Sequence, residues 1–264
     1  LSRPLVAKRL VDLARMESAT AVAHGARPGR EAATAIGRSV GALDPALAVL
    51  TAADDADTFG SGLLGLARAH GLPVPAPAGY HVDASIWGRA LKPGHGGHVP
   101  EDAFTLTRTV DECPDHAAVL DLEFADGVAV RANGVEMSML ELIESLETIA
   151  GAHGVGRWQV DGLHFEAPAI AVLGAAHRAL ETFVVGDDLA RLKAQLAGVF
   201  AQALARGDWF TPAREAVQGF AAVVQRRVTG SVRLELLKGS CLVVSRASRY
   251  AAAPDAAARP GVEV

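Results

Sequence analysis

The order of apolar runs in the first 75 residues constrains the fold of this chain more than any other feature. Leu5, Val6, Leu10, Leu13 and Met16 recur at helical spacing behind Ser2, a residue able to cap, with Pro4 in the first turn. Thr20 to Ala23 then reads as a short buried strand that ends in His24-Gly25. Glu31 to Val40 reads as a second helix, Leu47 to Thr51 as a second strand, and Ser61 to Gly71 as a capped third helix before Pro73-Val74-Pro75. Strand, helix, strand, helix in this order implies a parallel sheet with crossover helices. A sheet begun on a bare helix and limited to two strands leaves an edge of unpaired backbone groups. Upstream strands or a partner chain are therefore expected to complete it.

Beyond residue 75 the character changes twice. Residues 76–118 are rich in Pro, Gly and His and read as connection and loop. Val119 to Phe124 and Val128 to Arg131 alternate around Ala125-Asp126-Gly127, which predicts a hairpin. Ser138-Met139-Leu140-Glu141 has the spacing of a capping box, opening a helix that stops near Gly151. Arg157 to Val160 is strand-like, helical patterns fill 168–184, 188–206 and 212–226, and a second hairpin spans Arg227 to Val244 around Lys238-Gly239. The tail from Ala251 has little to pack and is expected to fray. The expected organisation is thus an incomplete α/β segment over 1–75 joined to a larger α+β domain over 76–264.

Composition narrows the function classes. Thirty acids against twenty-five bases give a net charge of −5, with no run of Lys or Arg, which speaks against nucleic acid as a partner. Apolar stretches such as Ala167 to Ala176 fall short of the roughly 18 residues a membrane helix needs. Leu1 leads into a charged amphipathic segment unlike a signal peptide, and two cysteines, Cys113 and Cys241, cannot build a disulfide framework. A soluble, cytoplasmic protein is expected.

Individual motifs are weak. Gly60-Ser61-Gly62-Leu63-Leu64-Gly65 satisfies a dinucleotide-loop spacing, with Asp83 downstream. Such a loop must follow a strand directly, whereas Asp54, Asp55 and Asp57 intervene and would repel a phosphate. His95, His98, Glu101 and Asp102 offer metal-type ligands, but on a glycine-rich loop that reads as solvated. Arg157, after His153-Gly154-Val155-Gly156, is available to an anion or to Glu147 or Asp161. His177 and Glu181 stand at i,i+4 and are expected to share a helix-face hydrogen bond.

Eleven short blocks taken in order resemble the argininosuccinate synthase family. They are Ser2 to Lys8, Val22 to Gly25, His70 to Pro75, Trp87-Gly88-Arg89, Glu101 to Thr105, His153 to Arg157, Phe165-Glu166-Ala167-Pro168, His177 to Glu181, Trp209 to Pro212, Arg227 to Gly230 and Lys238-Gly239. The resemblance implies the C-terminal part of a nucleotide-binding α/β domain of the adenine nucleotide α-hydrolase type, followed by the family's α+β synthetase domain. It implies a reaction joining citrulline to aspartate with ATP and Mg²⁺, releasing AMP and pyrophosphate, in a tetramer built partly by a C-terminal arm.

Carried over residue by residue, the resemblance gives His24, Gly25 and Ala26 as backbone presented to adenosine. The family's aspartate-binding Thr, Asn and Asp fall on Arg27, Glu31 and Ala32, and a citrulline-binding Arg falls on Ala35. Two citrulline-binding serines fall on His81 and Ala90, and the Tyr before Glu-Ala-Pro is Phe165. The pyrophosphate loop would precede Leu1, the segment between Val160 and Phe165 is shorter than the family's, and the arm is missing. The expectation is an argininosuccinate synthase-like protein that is catalytically incompetent as this chain alone, without catalytic or metal-binding residues of its own. The alternatives are a non-catalytic interaction or regulatory homologue, or a ligase repurposed for another amine and acid, with Arg27, Arg30, Glu31 and His81 in its pocket. A homo- or hetero-oligomer is expected in each case.

Overall fold

The computed structural model describes residues 2–26, 31–51, 62–73, 79–94 and 97–251, and holds seven α-helices and eleven β-strands among them. The chain is a mixed α/β protein of two compact units, Leu1–Ala76 with Arg191–Ala221, and Pro77–Ala190 with Ala222–Val264. No helix among the described residues is long and apolar enough to cross a membrane.

In the first unit, α1 (Arg3–Met16) buries Pro4, Ala7, Val11 and Ala14 on one stripe. That stripe packs with Ile36 and Val40 of α2 (Glu31–Leu43) and Val22 of β1 (Ala21–His24). β2 (Ala48–Thr51) pairs with β1 in parallel, Ala21 opposite Ala48 and His24 opposite Thr51, as the strand–helix–strand order implies. α3 (Gly62–Ala69) closes this stretch; the caps expected at the two helix starts differ from the expectation or cannot be compared. Ser2 makes no side-chain cap bond because its backbone is helical (φ −75, ψ −18), whereas a capping hydroxyl reaches the first-turn amides from an extended backbone. Ser61 lies outside the described residues, as do Pro75 and the tail from 252.

α6 (Asp187–Arg206) belongs to the first unit from Arg191 onward, with the turn after it and most of α7 (Pro212–Gln225). The Ser39 hydroxyl, fully buried, donates to the Gly207 carbonyl at 3.0 Å. Gly207 has φ +85, and a Cβ there would lie 2.2 Å from the Ala35 carbonyl oxygen, so only glycine permits the approach.

The second unit contains two antiparallel sheets. The smaller runs β3–β4–β9–β8, formed by β3 (Tyr80–Ser85), β4 (Gly88–Pro93), β8 (Arg157–Val160) and β9 (Leu163–Glu166). The larger runs β11–β10–β5–β6–β7, formed by β5 (Ala118–Ala125), β6 (Val128–Ala132), β7 (Val135–Glu136), β10 (Gly230–Leu237) and β11 (Ser240–Ala247). Leu120, Leu122 and Phe124 of β5 and Val232, Leu234 and Leu236 of β10 point inward. With them are buried Leu142, Ile143 and Leu146 of α4 (Met139–Ala152) and Val172, Ala176 and Leu180 of α5 (Pro168–Val184). The α4 capping box is as expected: Ser138 N donates to the Glu141 carboxylate at 2.7 Å and Glu141 N to the Ser138 hydroxyl at 3.4 Å.

The reading of 76–118 as loop is corrected by the β3–β4 hairpin. These strands bury little, with Leu91 the one fully buried side chain of the pair, so the alternation that marks a strand is missing from the sequence. Their register is fixed by distant residues instead. Gly88 has φ +122, and a Cβ there would meet the Glu166 carbonyl oxygen at 2.5 Å.

Candidate functional site

The smaller sheet gathers most of the polar chemistry of the second unit. Its register sets Asp83, Ala90, Phe165 and Trp158 in one row and Ala84, Arg89, Glu166 and Arg157 in the next. Successive residues of a strand point to opposite faces, so the two rows lie on opposite sides of the sheet.

The inner row is organised around Glu166, which is fully buried. One carboxylate oxygen accepts from Leu106 N and Thr107 N at 2.8 Å each and from the Thr107 hydroxyl at 2.7 Å. The other accepts from Thr105 N and Arg89 Nη1, both at 3.1 Å. Arg157 continues the network, donating to the Thr107 hydroxyl, to the Thr107 carbonyl at 2.7 Å and to Glu101. Its guanidinium also lies 4.4 Å from the Phe104 ring centroid. The partner of Arg157 is thus Glu101, not Glu147 or Asp161, because the 105–107 segment brings Glu101 alongside β8. This network is a clamp: a buried charge with every lone pair engaged fixes the sheet against the preceding loop.

The outer row faces away from that clamp. Phe165 and Trp158 stack with ring centroids 5.6 Å apart and planes 14° apart. Ala90 stands opposite Phe165, Asp83 opposite Ala90, and His81 opposite Lys92 in the next row on the same face. The side chains of His81, Asp83 and Lys92 are exposed and take no part in an ion pair or hydrogen bond among the described residues. Three of the expected substrate positions, His81, Ala90 and Phe165, therefore come together on one sheet face.

The remaining expected positions belong to the first unit. Glu31 is the exposed first residue of α2, Ala32 follows it half-buried, and Ala35 is fully buried beneath Gly207. Arg27 lies outside the described residues, as does Arg30. His24, Gly25 and Ala26 follow the carboxyl end of β1, where ligands gather in parallel sheets. Ala26 N donates to His24 Nδ1 at 3.3 Å, which leaves Nε2 as the donor of a neutral ring, buried and with no partner among the described residues.

Other sequence candidates resolve into structure. Gly60 and Ser61 of the glycine motif, and His95 of the loop cluster, lie outside the described residues. Glu101 is held by Arg157, and no group of three or more His, Cys, Asp or Glu able to hold a metal occurs among the described residues. His177 and Glu181 are joined not directly but through Gln225, whose Oε1 accepts from His177 Nε2 at 2.8 Å and whose Nε2 donates to Glu181 at 3.1 Å. Sequence reasoning missed Glu166 as the clamp and Trp158 as the stacking partner. A signal for Trp158 exists in the short β8–β9 turn, Asp161-Gly162, which sets Trp158 opposite Phe165.

The sequence profile of the arginosuccinate synthase C-terminal domain matches residues 80–255, more than half of the chain. The argininosuccinate synthase of Rubrobacter xylanophilus is 37% identical over 94% of this chain and 64% of its own length. Those of Symbiobacterium thermophilum and Chlorobium phaeobacteroides are 36% and 37% identical, each over 95% of this chain and 66% of their own length. The chain thus spans just under two thirds of the length of these relatives. With the profile laid over both sheets of the second unit and the family's Glu-Ala-Pro segment forming the clamp, the chain belongs to the argininosuccinate synthase family.

Proposed function

We propose that this chain carries the substrate-facing sheet of a cytoplasmic ATP-dependent ligase of the citrulline–aspartate type, and that taken alone it does not complete the citrulline site. The observation that carries the reading is the outer face of the smaller sheet. Positions where the family holds citrulline by two serines and a tyrosine present His81, Ala90 and Phe165 on that single face. The clamp under them is intact, so the face is built but its hydroxyl donors are replaced. Loss of one positioned donor to a charged group costs about 1.5–3 kcal/mol, and loss of an oxyanion-type donor about 10²–10³ in rate. Ala35, in place of a citrulline-binding Arg, adds a further loss.

ATP supplies activation of the ureido oxygen when bound. The chain's own residues fit the nucleoside part of that ligand: His24 Nε2–H is a buried donor without a partner at the carboxyl end of β1, beside the Gly25 and Ala26 backbone. Among the described residues no group of three or more His, Cys, Asp or Glu stands ready for the Mg²⁺. A second reading, a non-catalytic partner of other chains in a homo- or hetero-oligomer, draws on α1, where Leu5 is 71% and Met16 73% exposed.

Thermal unfolding with ATP·Mg²⁺, citrulline, aspartate and argininosuccinate, alongside an assay for pyrophosphate release, tests the proposal. A ligand at a hundred times its Kd adds about 2.7 kcal/mol, or roughly 2–4 °C for a chain of this size. No shift with citrulline or argininosuccinate and no pyrophosphate release is expected. A clear shift with citrulline, or turnover by the chain alone, overturns it.

A further inference from the structure

Asn133 is the one asparagine of the chain, and Gly134 follows it. The pair forms the two-residue loop between β6 and β7, with φ +49 at Asn133 and +79 at Gly134. Positive φ at both central positions is the turn that asparagine and glycine favour. An asparagine before a glycine also carries a chemistry of its own, because the glycine nitrogen, with no Cβ beside it, attacks the side-chain amide. In the folded loop that attack is blocked. Asn133 Oδ1 accepts from Asp121 N at 2.9 Å, and Asn133 N donates to the Asp121 carbonyl at 2.8 Å. These bonds hold the amide against β5, and Oδ1 must leave Asp121 before Cγ turns to Gly134 N. What keeps the loop shut is slight. β7 has two residues and pairs only with β6, and Val135 is 55% exposed. The ion pair that ties β7 to β6, Arg131 to Glu136 at 3.2 Å, is exposed and of little weight.

We propose that Asn133 is a site of spontaneous one-way modification, gated by opening of the β6–β7 edge. An exposed sheet edge opens at a lower free energy than the whole fold, so the step needs no global unfolding. With the loop open, Gly134 N loses its proton to solvent base and attacks Asn133 Cγ. The N–Cγ bond forms, the Cγ–Nδ2 bond breaks, and Nδ2 leaves as ammonia after taking a proton from solvent. Water then opens the cyclic imide at one of two bonds. Breaking the new N–Cγ bond leaves an aspartyl residue. Breaking the bond between Gly134 N and the main-chain carbonyl carbon leaves an isoaspartyl link, with the chain running through Cγ. Water is the only reagent consumed. The isoaspartyl product adds a backbone atom to a loop that fits two residues, so Ala132–Val135 and Arg131–Glu136 lose their register. The aspartyl product keeps an acceptor for Asp121 N and adds a negative charge to it. Either product is permanent, and the isoaspartyl form releases β7 from the sheet.

Ageing the full chain at neutral pH, folded and in urea, tests this. The peptide that contains Asn133 is followed by mass spectrometry able to separate amide, aspartyl and isoaspartyl forms. Conversion of the folded chain is expected, at a rate at least about tenfold below that in urea. Val135→Pro removes an amide hydrogen from the Ala132–Val135 pair and opens β7, and should raise the folded rate toward the urea rate. Glu136→Ala breaks only the ion pair to Arg131 and should raise the folded rate by a smaller factor, which keeps the test available where the proline variant fails to fold. In the aged chain, amide exchange should quicken at Val135 and Met137 and stay slow at Leu120 and Leu234. A folded rate equal to the urea rate removes the gate. No conversion of the unfolded chain, or a folded rate that neither variant raises, overturns the proposal.

Discussion

The second unit buries its large sheet with leucines: Leu120, Leu122, Leu142, Leu146, Leu180, Leu234 and Leu236 are all fully inaccessible. The first unit closes its two-stranded sheet with Ala7, Val11, Ala14, Val22, Ile36 and Val40. Full burial of a leucine or valine side chain contributes about 1.5–3 kcal/mol, and alanine contributes far less, so the two cores are unequal. Three or more strands with a covered face, or packing against a helix, let a sheet stand, so the two described strands of the first unit depend on α1 and α2 where the larger sheet has five strands of its own. The difference teaches where family-level function can survive in this chain. The unit with a strong core and a charged clamp holds its sheet face in place whatever happens elsewhere. The other unit, from which Leu5, Leu13, Met16 and Leu50 protrude, depends on whatever covers them.

The largest expected effect tests the clamp. Glu166→Ala leaves Arg89 and three backbone N–H groups of the 105–107 segment without their acceptor, and breaking a buried ion pair from one side costs about 3–5 kcal/mol. Urea unfolding followed by circular dichroism should show that loss. A loss below about 1 kcal/mol would mean that the second unit does not rely on the clamp, and the comparison would rest on apolar packing alone. A smaller effect of the same kind applies to the first unit. Ser39→Ala removes the donor to the buried Gly207 carbonyl and should cost about 1–3 kcal/mol. Amide exchange should then accelerate in α1 and α2 and remain unchanged in β5 and β10. Equal acceleration in both would show one cooperative body in place of two units of unequal strength.

What the sequence makes legible divides along the same physical line. Local signals were read correctly: the Ser138–Glu141 capping box, the Asp126-Gly127 hairpin turn and the parallel pairing of β1 and β2 each depend on residues close in sequence or on a simple order of elements. The β3–β4 hairpin was hidden because its strands bury almost nothing and lack alternation. The Arg157–Glu101 pair is not legible in the sequence because its members are 56 positions apart, and a long-range ion pair leaves no periodic trace. Glu166, bonded to groups 59 to 61 positions away, was missed for the same reason. The gathering of His81, Ala90 and Phe165 on one face became visible only with the register of three strands.

The smallest predicted effect sharpens the account of the clamp's charge. Glu147, on α4, has its carboxyl pushed above the ordinary range, first by burial and then by the negative charges of Glu166 and Glu144. A raised value means that the folded chain holds this proton more tightly than the unfolded chain. The group therefore adds nothing unfavourable below the ordinary carboxylate value of about 4.3, and weakens the fold as pH rises through the raised folded value. Glu147→Gln removes that penalty. The variant should be more stable than the native chain at pH 7, by at most about 0.5 kcal/mol, and equal to it near pH 3.5. Paired thermal melts across that range measure the difference. Because one source of the shift is the charge on Glu166, the gain should shrink when Glu147→Gln is made on a Glu166→Gln background. An undiminished gain would assign the shift to burial and Glu144 and leave the clamp's charge without influence beyond its own hydrogen bonds.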